Sequence, residues 1–238
     1  MMFFSTFALF AASLSSLVSA APVAPINPAV GRAPSCSLTG AKPNLTGTTI
    51  TVPAGTLVNV ALGVGTQNYT CGAAGTFTSA GAVATLFDVS CLAKTGPLID
   101  NLPNMAFAVA SNEKGAALIG KLGPVIQSSP FVLAHHYFIT NPAPGATGIT
   151  PVFDARADSK KGDPTAFVAV KKVANSPAPT DSAHNVDFLS LQNIGGTIGG
   201  SMANNVLRVA TKNGQPPTSC SGNATVQVPY TALYWFYK

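Results

Sequence analysis

Charge is what this chain has least of. Charged side chains make up 9% of its 238 residues, against about 25% in an ordinary soluble domain. Acids are scarcer than bases, eight against thirteen, and Glu113 is the single glutamate. So small an acidic set offers few pairs for the two-carboxylate chemistry of glycoside hydrolysis. Asp88, Asp154 and Asp187, in or beside candidate strands, are the carboxylates a cleft could use. A lone Asp at a strand end more often serves a turn.

The bases are scattered. The net charge is +5, yet the densest basic runs are the pairs Lys160-Lys161 and Lys171-Lys172. No basic stripe is interleaved with aromatics, so a nucleic-acid partner is not expected. None of the four cysteines, Cys36, Cys71, Cys91 and Cys220, belongs to a CxxC pair, so no zinc or other metal site is expected. G-x-S-x-G is absent, which removes the usual α/β-hydrolase nucleophile elbow. Residues 195–200 read GGTIGG. That spacing does not fit G-x-G-x-x-G, and no helical pattern follows it. An NAD-dependent dehydrogenase is therefore not expected, and no cofactor is.

Residues 1–20, MMFFSTFALFAASLSSLVSA, carry no charged side chain. An apolar run leads to Val18-Ser19-Ala20, the layout of a secretory signal peptide with a small-x-small cleavage site. The run is too short and Ser-rich to span a bilayer, so no membrane span is expected. The expected location is secreted, extracellular or in a cell wall. An even cysteine count in an oxidising compartment points to two disulfides. Three pairings are possible. Cys71–Cys91 with Cys36–Cys220 is preferred, the first closing a short loop and the second tying the N-terminal segment to the last strands. Three sequons, at Asn44, Asn68 and Asn223, suit the same route as glycosylation sites. Asn68 lies in a stretch that reads as strand.

Residues 21–42 form a Pro-rich lead-in, with four prolines before Cys36. Residues 43–238 read as a single β-rich domain. Residues 48–52 are β-branched. Residues 57–65 alternate, with Val58, Val60, Leu62 and Val64 on one face, and 67–71 continue them past a kink at Gly65-Thr66. The apolar run 82–89 reads as a central strand covered on both faces. Further strand candidates are 131–140, 150–155, 166–173, 186–192, 205–211, 225–229 and 231–237. A Pro-rich break is expected at 175–179, and a flexible hairpin or bulge at the glycine cluster. The fold class is all-β, a sandwich or barrel, with short helical turns in the 92–122 region.

His135-His136 is the most chemical-looking pair. Adjacent strand residues face opposite ways, so the two cannot share one metal. Either could meet Asp154, Asp187 or His184 across a sheet. A Ser190–His136–Asp154 triad can be drawn, but nothing in the spacing favours it. In the tail, Tyr230, Ala232, Tyr234 and Phe236 share one face and Thr231, Leu233, Trp235 and Tyr237 the other. Tyr234 and Trp235 are candidate sugar-stacking residues, although a two-faced aromatic strand suits a core better.

Several blocks carry a resemblance: GVGTQNYTC (63–71), GAVATLFDVSCL (81–92), HHYFIT with TPVFD, VAVKKVANSPAP (168–179), and LRVATKNGQPPTSC ending in VPYTALYWFY. Together they resemble a family of secreted fungal and bacterial proteins of unknown function, whose fungal members are often labelled "malate dehydrogenase". The resemblance spans residues 43–237. It implies secretion and supplies no catalytic residues, and the glycine spacing above speaks against the label.

The expectation is a secreted, disulfide-bonded glycoprotein that binds without catalysing, its partner a cell-wall polysaccharide, a host surface or a small ligand. The alternative is a secreted hydrolase using His135 or His136 with an Asp such as Asp154.

Overall fold

The structure is a computed structural model that describes residues 36–112 and 131–238. The expected signal peptide, most of the lead-in, and the helical turns expected over 113–122 lie outside the described residues.

Eight strands run antiparallel, each pairing with the next in sequence, and the last returns to the first to close a barrel. They are β1 (Leu57–Cys71), β2 (Phe77–Asp88), β3 (Val132–Thr140), β4 (Ile149–Asp154), β5 (Phe167–Ser176), β6 (Phe188–Asn193), β7 (Asn205–Asn213) and β8 (Thr225–Tyr237). Of the two all-β architectures that the sequence allows, the barrel is the one formed. Closure gives every strand two neighbours, so no strand stands wholly at an edge.

The two-residue alternation sorts side chains into two separate apolar clusters. One lies inside the barrel and includes Ala61, Ala84, Leu86, Phe153, Val168, Leu191, Val206, Tyr230, Tyr234 and Phe236. The other lies outside, with Val60, Leu62, Leu207, Val209, Leu233, Trp235 and Tyr237. It is covered by Ile99, Leu102 and Ala106 of α1 (Pro97–Ala110) and by Leu38, Leu45 and Ile50 of the N-terminal segment. β8 is buried on both faces, and its two sets divide as the alternation predicts. Trp235 is 0% exposed, and burying a side chain of its size stabilises by about 3 kcal/mol.

α1 is a 14-residue helix where only short turns were expected. Pro97 at its start suits a helix, because the first N–H groups have no partner in any case. Pro103 inside it removes one ladder hydrogen bond, which is why the stretch reads as broken. The Thr231 hydroxyl of β8 donates to the Pro103 carbonyl at 2.7 Å, anchoring the helix to the barrel at that point.

Other expectations are corrected. Residues 48–52 form no strand; Ile50 instead buries itself in the outer cluster. β1 does not kink at Gly65-Thr66. Its irregularities lie between Leu57 and Asn59 and between Asn68 and Tyr69. The first turns Val58 inward, away from Val60, Leu62 and Val64. β2 is covered on one face only, since Val83 is 56% exposed. β5 runs on to Ser176 before the prolines take effect. The glycine cluster folds into the short helix α2 (Gly196–Gly199) between β6 and β7.

The disulfide pairing is also corrected: Cys36 joins Cys91, and Cys71 joins Cys220. The preferred Cys71–Cys91 bond is geometrically excluded. Cys71 ends β1 and Cys91 follows β2, so the 12 residues of β2 carry the chain to the opposite barrel end. At about 3.3 Å per residue that is roughly 40 Å, whereas a disulfide bridges Cα atoms about 6 Å apart.

Candidate functional site

Among the described residues a half-buried charged group, Arg208, is turned into the barrel. On β7 it alternates with Leu207 and Val209, which face the outer cluster, so it faces inward with Val206. Its register partners are Leu189 on β6 and Tyr234 on β8. The guanidinium is half-buried. Its Nε and one terminal nitrogen donate to the Asp187 carbonyl at 3.1 and 2.9 Å. Among the described residues no carboxylate lies within ion-pair distance of it.

Around Arg208 the interior is polar. The Tyr230 and Tyr234 hydroxyls share a hydrogen bond of 2.8 Å. Burial pushes the Tyr234 hydroxyl above its ordinary pKa, against the opposing pull of the Arg208 charge. Tyr230 is pushed higher, by burial and then by Tyr234. Tyr69 donates to the Gly214 carbonyl at 2.7 Å. Gln67, 7% exposed on β1, sits close enough to Tyr230 to lower that hydroxyl's pKa. Its Nε2 nevertheless meets no acceptor in hydrogen-bond geometry.

A weak seam flanks this cluster. β4 and β5 share three residue pairs, Val152↔Ala169, Phe153↔Val168 and Asp154↔Phe167. Beyond them Val170 to Ser176 pair with β6 alone, and Ile149 to Pro151 with β3 alone. Among the described residues the wall there has no ladder across it, and residues 171–175 are exposed. Lys172 continues the inward alternation of Val168 and Val170 and stands at this seam.

The two histidines separate as adjacent strand residues must. His136 is inside, stacked on Phe153 with ring centroids 4.4 Å apart. Its Nδ1–H donates to the Val152 carbonyl at 2.9 Å, which assigns the neutral tautomer. Burial lowers its pKa to about 4. His135 is outside. Its Nε2 lies 3.3 Å from Asp158 Oδ2, outside hydrogen-bond geometry, and its Nδ1 is 3.5 Å from the Thr85 hydroxyl.

The carboxylates expected to serve the histidines do other work. Asp154 is the register partner of His135. Its oxygens instead take Arg156 at 2.9 and 2.7 Å and the Tyr137 hydroxyl at 2.7 Å. Arg156 above all holds the Asp154 pKa down to about 2. Asp187 accepts from Asn175, Asp88 from the Ser90 amide, and His184 pairs locally with Asp181. The Ser190–His136–Asp154 triad does not form, because Ser190 is paired with outward-facing Leu207 and His136 faces inward. Tyr234 and Trp235 are 1% and 0% exposed, so neither offers a surface face to a sugar.

Sequence reasoning missed Arg208, Gln67 and Asp158. The signal for Arg208 was present: a single cation inside NVLRVAT, an otherwise apolar strand. Gln67 and Asp158 gave no such signal.

Of the three sequons, Asn44 and Asn223 are exposed outside the strands, whereas Asn68 is half-buried inside β1. A surface cleft of about 400 Å³ lies beside Asn44, lined by Lys42, Lys94 and Asp100. Among the described residues no helix is long and apolar enough to cross a membrane, and no three metal-ligating side chains converge.

Residues 53–238 fit a family described as a protein of unknown function (DUF3455). No curated protein and no solved structure matches the chain.

Proposed function

The chain belongs to the DUF3455 family of proteins of unknown function, and from that premise we propose that it is a secreted, non-catalytic binding protein whose barrel takes a small ligand. Two disulfides fit an extracellular protein. The leader over residues 1–20 and the exposed sequons at Asn44 and Asn223 support the same compartment. A signal peptide at 1–20, a lead-in at 21–42 and one domain over 43–238 is the organisation this reading adopts.

The observation that carries the binding reading is Arg208, directed into the barrel with no carboxylate among the described residues to neutralise it. An eight-stranded barrel is wide enough to be filled by side chains or to hold one small ligand. Of the three partners open to a secreted binder, a wall glycan and a host surface are the less favoured. The aromatic residues that would stack on a sugar, Tyr234 and Trp235, are buried.

The test is native mass spectrometry of the full chain, secreted under its own leader from a eukaryotic host. A small molecule retained by the folded protein and released on denaturation supports the reading. A chain retained in the cytosol with free thiols, or one that stays empty against a broad metabolite extract, overturns it.

A second reading, a hydrolase, is favoured by one observation, the approach of His135 to Asp158. It expects turnover of ester or glycoside substrates that is lost in His135→Ala. Equal rates with and without that substitution would end it. Oxidation of malate with NAD is expected to give no rate.

A further inference from the structure

We propose that the Arg208 end of the barrel binds a small aromatic monocarboxylate, admitted through the seam between β4 and β5. This rests on the binding reading above and names the chemistry of its ligand.

The first argument is charge. A guanidinium carries five N–H donors and no acceptor. Two of those in Arg208 go to the Asp187 carbonyl. A neutral carbonyl satisfies hydrogen bonds but does not cancel a charge, and a half-buried cation without a counter-ion is costly. A carboxylate matches the planar fork of the group.

The second argument is the surplus of donors. Gln67 Nε2 is buried and completes no hydrogen bond. It lies beside Tyr230, whose hydroxyl is bonded to that of Tyr234. A guanidinium, an amide N–H and the one hydroxyl proton that the Tyr230–Tyr234 bond leaves over suit an anion. Asp187, the acid nearest Arg208 in sequence, has its carboxylate engaged by Asn175.

The third argument is the remaining wall. Phe138 and Leu189 pack at the margin of the inner cluster, and Phe138 lies 5.3 Å from the His136 ring. These are contacts for an aromatic body rather than for a sugar or a bare inorganic anion. Lys172, exposed where the β4–β5 ladder stops, places a positive charge at the entrance and would draw anions toward it.

The experiment is titration of the secreted full chain with phenylacetate, its neutral isostere phenylacetamide, and inorganic phosphate, followed by calorimetry and by the arginine Nε–H signals in NMR. The chain has only three arginines, Arg32, Arg156 and Arg208, so the Arg208 signal is assigned by its loss in Arg208→Lys. Phenylacetate is expected to saturate and to shift that signal. The amide should bind at least about tenfold more weakly, a difference of roughly 1.4 kcal/mol. Arg208→Gln should lose phenylacetate binding about tenfold or more, whereas Arg156→Gln, outside the barrel, should bind as wild type. Should Arg208→Gln fail to fold, Gln67→Glu, which sets a carboxylate beside the Tyr230 hydroxyl in the same polar cluster, is expected to abolish binding in a chain with unchanged circular dichroism.

Equal affinity for acid and amide, phosphate binding as tight as phenylacetate, or full binding in Gln67→Glu would each overturn the proposal. So would no heat and no shift up to about 10 mM phenylacetate, well above the range of a specific site. If native mass spectrometry then finds a neutral small molecule, the binding reading stands and the carboxylate falls. If it finds none, both fall.

Discussion

Gly63 lies directly beneath the ring of Tyr234. A Cβ at this glycine would sit 2.6 Å from Tyr234 Cε2, closer than any side chain tolerates. The inner faces of β1, β2 and β8 are narrow for this reason, with Ala61, Gly63, Ala82, Ala84 and Ala232 giving room to Phe153, Tyr234 and Phe236. Gly63→Val must move the Tyr234 ring, which is 1% exposed and packed. A loss of about 2–3 kcal/mol is expected, the usual cost of overpacking. Urea denaturation checks it; an unchanged midpoint would mean the barrel is looser than this packing implies.

His136 should make the fold acid-sensitive in one window. The unfolded imidazole takes a proton near pH 6.5, the folded one only near about 4. Between those values the unfolded chain binds more protons, so stability falls as the pH drops. The contribution is complete above about pH 6.5 and lost by about pH 4. Its size is roughly 3 kcal/mol, from a separation of about two and a half pH units. His136→Phe should flatten this part of the curve. The same slope in wild type and variant would assign the window to another group.

Asp154 acts lower on the scale. Arg156 holds its pKa at about 2, below the usual carboxylate value near 3.9. Its stabilisation is therefore present above about pH 4 and lost as the pH falls toward 2. Asp154→Asn should remove stability at pH 7 and leave pH 2 unaffected. Equal midpoints at pH 7 would show that the pair with Arg156, exposed on one side, contributes nothing measurable.

Peptide mapping without reduction should recover Cys36 linked to Cys91 and Cys71 linked to Cys220. The bridges span 55 and 149 residues, and the chain-entropy model assigns them about 4 and about 5 kcal/mol. Cys71→Ser with Cys220→Ser should cost up to the larger figure, read as a lower Tm. A Cys71–Cys91 peptide from folded protein would contradict the barrel register itself.

Glycan occupancy should be uneven. Asn44 and Asn223 are exposed, while Asn68 is half-buried in a strand paired on both sides. Mass spectrometry of the secreted chain is expected to find glycan on the first two and none on Asn68. Full occupancy at Asn68 would place a bulky group where the β1 ladder runs.

The strands were legible where side chains alternate in character. In β8 the alternation sorted Tyr234 from Trp235, and both faces proved apolar because one lines the barrel and the other lies under α1. The helix was not legible. Pro103 breaks the helical pattern, and what keeps the helix in place is contact with β7 and β8, including the bond from Thr231. The histidine pair was half legible. Period two separates His135 from His136, but it cannot say that Asp158, from the turn after β4, comes to His135 while Arg156 takes Asp154.

The order of residues along the chain determined most of the strands and the division of their side chains into two faces, because each depends on neighbours one or two positions away. Closure of the sheet decided the rest: which cysteines meet, which face of β8 lies under a helix, and that one arginine from an apolar strand ends up inside. Those outcomes join residues far apart in sequence, and only the register of eight strands around a ring brings them together.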